Sequence, residues 1–209
     1  MKKSALFPVL EMKNVTVIQG SGNKKVLDSV SLEIPAGENI AILGPNGAGK
    51  TSLIRTITRE CYPIAKRNMA LRIWGKEVWD LFKLRDLLGI VTNDLQAVCA
   101  REISGMEMIL SGFFGSIGLH QGQRVTAGMK KKAREVLKLF EISHLKDRFM
   151  SVMSSGEARR FLIGRAMIHK PRALVLDEPT NGLDLRATHH FKKMIRKVVR
   201  AGVGVILVT

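Results

Sequence analysis

The order of apolar and polar positions along the chain predicts strands that alternate with helices. Apolar residues at every second position on both sides of residues 20–23 predict an antiparallel β-hairpin. The nearly all-apolar runs 39–43 and 173–176 are typical of strands buried on both faces of a parallel sheet. Residues 70–92 are predicted as a strand, a turn at 74–75, a short helix and a second strand at 88–92. A further strand is predicted at 203–208, and helices are predicted at 50–59, 155–169 and around 191–199. This alternation favours an α/β fold with a mostly parallel sheet.

Residues 93–154 show a helical pattern broken by glycines. Within it, Met129, Ala133 and Leu137 recur at helical spacing, and lysine and arginine side chains fill the opposite face. We therefore expect a helical subdomain at 93–154, inserted in one domain that covers residues 1–209. The sequence stops on the strand 203–208 with no turn after it, which we interpret as truncation of the domain at its C-terminus.

Composition places the chain among ordinary globular proteins except for its charge. Apolar residues make up 45% and charged residues 25%, and two cysteines do not form a disulfide framework or a zinc motif. The net charge is +16, and half of the excess lies in residues 130–172. A charge of this size suggests nucleic acid, an anionic membrane surface or acidic ligands such as nucleotides.

A phosphate-binding loop (P-loop) lies between the first predicted parallel strand and the helix after it. Residues 44–51 match the pattern G-x-x-x-x-G-K-[ST]. The predicted nucleotide-binding residues are these eight and the serine that follows them: Gly44, Pro45, Asn46, Gly47, Ala48, Gly49, Lys50, Thr51 and Ser52. Backbone N–H groups of such a loop curl around the β-phosphate at a helix N-terminus. Lys50 is expected to reach the β- and γ-phosphates, and the Thr51 hydroxyl is expected to ligate Mg²⁺.

Two acidic residues end the apolar strand 173–176. Asp177 is expected to orient Mg²⁺ through water, and Glu178 is expected to act as the general base that polarises the attacking water. They follow the carboxyl end of a parallel strand, where open α/β sheets bind ligands. Together with the P-loop they predict a P-loop NTPase with a mostly parallel sheet core, an N-terminal antiparallel β-hairpin region and an inserted helical subdomain.

In their order along the chain, these motifs resemble those of the ATP-binding cassette (ABC) ATPases. Residues 153–157, Met-Ser-Ser-Gly-Glu, stand where that family has the signature L-S-G-G-Q, and residues 181–184, Asn-Gly-Leu-Asp, stand where it has the D-loop S-A-L-D. The resemblance covers nearly the whole chain. From the residues alone, Ser154 and Glu157 form a capping-box pattern at a helix N-terminus, which attracts anions.

The resemblance implies an ATPase that uses ATP and Mg²⁺ and works as a head-to-tail dimer. In such a dimer the signature residues Ser154, Ser155, Gly156 and Glu157 contact the nucleotide bound to the opposite subunit, and Asp184 belongs to the D-loop. The implied partners are a second ABC ATPase subunit, with a homodimer favoured, and a membrane-spanning transporter subunit. The implied location is the cytoplasm, peripheral at the inner face of the cell membrane.

The chain departs from the family pattern at several positions. Asn93 takes the place of the glutamine that ligates Mg²⁺ in the Q-loop, with a side chain one methylene shorter. Glu157 replaces the signature glutamine and Ser155 its first glycine, which predicts slower turnover or an altered partner surface. Gln19 stands where an aromatic residue usually stacks on adenine, so we expect weaker nucleotide binding.

Two further functions stay open beside a transporter subunit. The basic segment 130–172 suggests a soluble ABC ATPase that acts on ribosomes or nucleic acid, although its lysines form the polar face of an amphipathic helix without interleaved aromatic residues. The altered signature and Q-loop suggest a weakly hydrolysing, ATP-dependent regulator. The histidines show no zinc-ligand spacing, and we expect no zinc.

Overall fold

The computed structural model describes residues 7–20, 24–92 and 102–209. Its strands are β1 Leu10–Gln19, β2 Lys24–Ile34, β3 Ile40–Ile42, β4 Ala70–Ile73, β5 Leu88–Val91, β6 Ala173–Asp177 and β7 Gly204–Val208. Its α-helices are α1 Lys50–Ile57, α2 Leu81–Leu87, α3 Gly105–Ser111, α4 Ala127–Leu139, α5 Ser155–Ala166 and α6 Leu185–Arg200. Short 3₁₀ helices lie at Gly112–Phe114, Ser143–Leu145 and Met150–Val152.

The strands form two sheets. The first is antiparallel with the order β2-β1-β4, which confirms the predicted hairpin. The second is parallel with the order β3-β7-β6-β5, and each crossover between its strands passes through helices. The α/β fold with a parallel core is therefore confirmed. Because β3, β7 and β6 are parallel, the carboxyl ends of β3 and β6 lie at the same edge of the sheet.

The prediction that two parallel strands are buried on both faces is confirmed for β6 and wrong for β3. All five residues of β6 are buried, and alternate side chains enter two different apolar cores, Leu174 and Leu176 on one face and Ala173 and Val175 on the other. In β3, by contrast, Ala41 is exposed and its two neighbours are half-buried. Among the described strands β3 pairs only with β7, so it lies at an edge of the parallel sheet.

Between residues 102 and 154 the regular elements are all helices, joined by turns and irregular segments, as the glycine-broken pattern predicts. In α4, Ala133 and Leu137 are buried in a core shared with α3 and α5, whereas the lysines of its polar face are exposed. Residues 93–101, the first part of the predicted subdomain, lie outside the described residues, and the subdomain boundaries stay a prediction. Within the described ranges, none of the helices combines the length and apolar character that crossing a bilayer requires.

Candidate active site

The P-loop joins the end of β3 to the start of α1. Gly47 and Gly49 have positive φ angles of 83° and 90°, in the region that favours glycine. A Cβ atom on Gly49 would lie 2.4 Å from the carbonyl oxygen of Val26, so a larger residue does not fit there. Helix α1 has no side-chain cap and no acidic residue in its first turn. Its first N–H groups therefore remain available to an anion held in the loop.

Lys50 lies between the loop and the acidic strand end. Its Nζ donates hydrogen bonds to the carbonyl oxygens of Gly44 at 2.6 Å and Pro45 at 3.2 Å. The same ammonium is 3.9 Å from Glu178 Oε1. The structure thus brings together two residues that are 128 positions apart, around the space that the loop encloses.

The Thr51 hydroxyl and the Asp177 carboxylate lie next to each other. Thr51 Oγ1 donates to Asp177 Oδ2 at 3.3 Å, and the Asp177 side chain lies at the end of β6 in a residue that is only 6% exposed. A hydroxyl and a carboxylate are hard oxygen donors of the kind that Mg²⁺ prefers. These residues therefore fit a magnesium ion; Asn93, the third predicted ligand, lies outside the described residues.

Glu178 has a strained backbone and a half-buried side chain. Its φ angle is 42°, unusual for a residue other than glycine, and its N–H donates to the Val208 carbonyl at 2.7 Å. Glu178 Oε2 accepts a hydrogen bond from Asn181 Nδ2 at 3.4 Å. The carboxylate is consequently directed toward Lys50 from a loop fixed by main-chain bonds.

The signature residues begin α5 with the capping box that the sequence predicts. Ser154 Oγ accepts from the Glu157 N–H at 3.3 Å, and Glu157 Oε2 accepts from the Ser154 N–H at 2.8 Å and its hydroxyl at 2.9 Å. The hydrogen bond from the Ser154 backbone lowers the pKa of Glu157. Glu157 therefore carries a negative charge at this helix N-terminus at neutral pH.

The D-loop packs against the signature within the same chain. Asp184 caps α6, because its Oδ1 accepts from the Ala187 N–H at 2.6 Å. Ser155 Oγ donates to the Gly182 carbonyl at 3.4 Å, and a Cβ atom on Gly156 would lie 3.0 Å from that of Ala187. The two motifs thus form one continuous surface at the starts of α5 and α6.

Sequence reasoning missed Arg159. This residue of α5 is 3% exposed, and its guanidinium donates to the carbonyl oxygens of Glu178, Pro179 and Asn181. Burial lowers the pKa of Arg159. The sequence held one indication: Arg159 lies four residues before the apolar Ile163, so the two side chains share one face of α5.

A cavity of about 260 Å³ separates the parallel-sheet core from the helical region. Leu81 and Arg85 of α2 line it on one side, and Gly112 and Arg165 line it on the other. Val78 and Phe82, close in sequence to Leu81, are 86% and 73% exposed. This is an open, partly apolar groove next to β5.

The parallel sheet, the P-loop and the acidic end of β6 together define a P-loop NTPase. Comparison with known proteins gives the particular family: the ABC transporter family model matches residues 27–181. The chain belongs to the ABC transporter family, as one of its ATP-binding cassettes. The predicted family is therefore confirmed.

Individual relatives show the extent of the similarity. The chain is 32% identical over 189 residues to the cobalt import ATP-binding protein CbiO of Rhodobacter capsulatus, covering 90% of this chain and 65% of CbiO. It is 31% identical over 199 residues to the zinc import ATP-binding protein ZnuC of Anaplasma phagocytophilum, covering 95% and 71%. The dimeric structure of the bacterial ABC transporter cassette MJ0796 matches 96% of this chain and 87% of that chain, with 26% identity and a TM-score of 0.73.

The chain is shorter than several of these relatives. It spans 26% of the ABC transporter G family member 20 of Dictyostelium discoideum and about half of the sulfate/thiosulfate import ATP-binding protein CysA of Salmonella typhi, where the share is 47%.

Proposed function

We propose that the chain is the ATP-binding and ATP-hydrolysing subunit of an ABC transporter. The observation that carries this proposal is the convergence of Lys50, Thr51, Asp177 and Glu178 at the carboxyl ends of β3 and β6. The cation, the two oxygen ligands and the general base that phosphoryl transfer to water requires all face the P-loop.

Each residue of this cluster has a distinct part in the reaction. The N–H groups at the start of α1 and the Lys50 ammonium bind and orient the phosphates. Thr51 and Asp177 would hold Mg²⁺, Thr51 directly and Asp177 through water, and the ion would supply positive charge to neutralise the phosphate oxygens. Glu178 accepts a hydrogen bond from the attacking water and removes its proton.

The signature surface supports a head-to-tail homodimer. The surface formed by residues 154–157 and the D-loop is distinct from the P-loop, and a second copy could cover the nucleotide with it. The dimeric cassette MJ0796 shares this fold. Asp184 would then lie at the subunit interface through the N-terminus of α6.

The groove beside α2 supports a membrane-spanning partner. It is lined by apolar and cationic groups, and Phe82 and Val78, which are close in sequence to its lining residue Leu81, are exposed apolar residues. A short helix from a transporter subunit would bury those side chains, since exposed apolar patches commonly mark interaction sites. This proposal places the chain in the cytoplasm, at the inner face of the membrane.

The proposal is tested with Glu178→Gln. We expect hydrolysis to fall by about 10²–10⁴-fold, the usual contribution of a general base, while ATP binding persists. Trapped ATP should then produce a dimer on gel filtration. Glu135→Gln, at an exposed position of α4, is the matched control and should keep wild-type turnover. Undiminished hydrolysis by Glu178→Gln would exclude Glu178 as the base.

A further inference from the structure

We propose that Arg159 is a positioning residue for ATP hydrolysis. Its buried guanidinium holds the main chain that follows Glu178 and thereby fixes the direction of the Glu178 carboxylate. This inference rests on the proposed role of Glu178 as the general base, and it adds a residue of the signature helix to the machinery of its own subunit.

The geometry is that of a cation enclosed by carbonyl groups. Arg159 Nη1 donates to the Glu178 carbonyl at 3.3 Å and also contacts that of Pro179, and Nη2 donates to the Asn181 carbonyl at 3.3 Å. All three acceptors lie within one four-residue loop. The planar, forked guanidinium can hold several acceptors in fixed relative positions, which a lysine ammonium cannot do.

The burial of this charge needs an explanation beyond packing. Within residues 7–20, 24–92 and 102–209, the hydrogen-bond acceptors of Arg159 are backbone carbonyls and not carboxylates, so these carbonyls compensate its desolvation. A buried charge is costly unless it is fully hydrogen-bonded. An apolar side chain would fill the same place without that cost. We therefore infer that an arginine occupies this position because it holds the loop 178–181.

The loop in question requires support because of its conformation. Glu178 keeps a φ angle of 42°, and such strain persists only where neighbouring groups hold it. Its N–H is bound to Val208, and its carbonyl accepts from both the Asn181 N–H at 3.1 Å and Arg159. With both the N–H and the carbonyl of Glu178 held, the side chain faces Lys50. Loss of Arg159 leaves the Asn181 N–H on the Glu178 carbonyl but removes the guanidinium from this carbonyl and from those of Pro179 and Asn181, so the loop loses its common donor.

Steady-state kinetics of the full chain with Arg159→Gln test the proposal first. We expect kcat to fall about 10–100-fold, the range for a misplacement of about 1 Å at a catalytic group. The Kd for ATP should stay within about twofold of wild type, because no P-loop contact is removed. Arg159→Lys should give an intermediate kcat, since a compact ammonium group replaces the planar, forked guanidinium. Arg196→Gln, on the exposed face of α6, is the matched control.

A double-mutant cycle with Glu178→Gln separates positioning from a general structural role. If Arg159 acts through Glu178, Arg159→Gln should cause no further loss of single-turnover rate once Glu178 is Gln. An equal loss in both backgrounds, or a parallel loss of kcat and ATP affinity, would overturn the proposal. If Arg159→Gln does not fold, as judged by thermal unfolding, the same cycle is run with Arg159→Lys.

The same data distinguish a failure of the proposed general-base role of Glu178 from a failure of the positioning role of Arg159. Should Glu178→Gln hydrolyse ATP at the wild-type rate, the general-base assignment fails by itself. Should Glu178→Gln be inactive and Arg159→Gln be fully active, the base stands and only the positioning role of Arg159 is rejected.

Discussion

Helices α1 and α5 both begin at a predicted phosphate site, yet their N-termini are built in opposite ways. Helix α1 follows a glycine, has no side-chain cap, and places Lys50 at its first position. Helix α5 follows Ser154, whose hydroxyl takes a first-turn N–H group, and places Glu157 beside the remaining ones. The first helix leaves its partial positive charge for a ligand, whereas the second satisfies it internally.

The comparison of α1 with α5 indicates that side-chain capping and anion binding compete for the same N–H groups at a helix N-terminus. A capping box stabilises α5 in the absence of any ligand, and it adds a carboxylate where the opposite γ-phosphate would approach. We therefore expect the P-loop to supply most of the nucleotide affinity and the signature to contribute weakly and adjustably.

Between these two helix N-termini, the largest expected effect on nucleotide binding comes from removing the Lys50 ammonium of the α1 site. Lys50→Ala should weaken ATP binding by about 10–100-fold, because a hydrogen bond to a charged group contributes about 1.5–3 kcal/mol. Isothermal titration calorimetry measures this change directly. Lys130→Ala, on the exposed face of α4, is the control. Equal affinities for these two variants would mean that α1 does not hold the phosphates.

The glycine geometry of the α1 site gives the next effect. In Gly49→Ala the new Cβ meets the Val26 carbonyl at 2.4 Å, so the loop or the hairpin must move, and ATP affinity should fall about tenfold or more. In Gly47→Ala nothing lies within 4 Å of the new atom, which leaves only the φ strain of about 1–2 kcal/mol. Calorimetric affinities that rank these variants in the reverse order would contradict the proposed role of close packing.

At the α5 site, removing a charge should improve function. Glu157→Gln retains a side chain that can complete the capping box but removes the carboxylate near the helix dipole. We expect ATP-induced dimerisation to strengthen by about two- to fivefold, corresponding to about 0.3–1 kcal/mol. Sedimentation in the Glu178→Gln background measures it, and high salt should reduce the gain. Weaker dimerisation would instead show that the dimer needs the carboxylate.

The smallest effect is the pH dependence of the same carboxylate. The pKa of Glu157 is lower in the fold than in the unfolded chain, so its charge stabilises the fold above the unfolded pKa, and this stabilisation is lost as pH falls through the folded pKa. Wild type should exceed Glu157→Gln in Tm at neutral pH by a few degrees at most. The difference should vanish in acid. A difference that is constant between neutral pH and strong acid would argue against a charge effect.

Much of the α1 site could be predicted because a short, local pattern encodes it. The positive φ angles of Gly47 and Gly49 and the following helix are properties of neighbouring residues. The pairing of Thr51 with Asp177 followed from the rule that parallel strands present their carboxyl ends at one edge. The capping box at Ser154 was equally local.

Two features could not be predicted because they depend on long-range packing. The exposure of Ala41 follows from the edge position of β3, and apolar sequence alone does not distinguish an edge strand from a central one. The role of Arg159 depends on a loop some 20 residues later in the chain turning back over α5. A charged residue in a helix is normally expected at the surface, so its burial emerged only in three dimensions.

The contact between the signature and the D-loop has a consequence for the entropy of assembly. Ser155 is already bonded to the Gly182 carbonyl, and Gly156 already packs against Ala187. A partner that docks on this surface would not have to order two separate loops, and ordering interface segments is one of the main costs of association. The single chain thus carries half of the proposed nucleotide sandwich in a preassembled form.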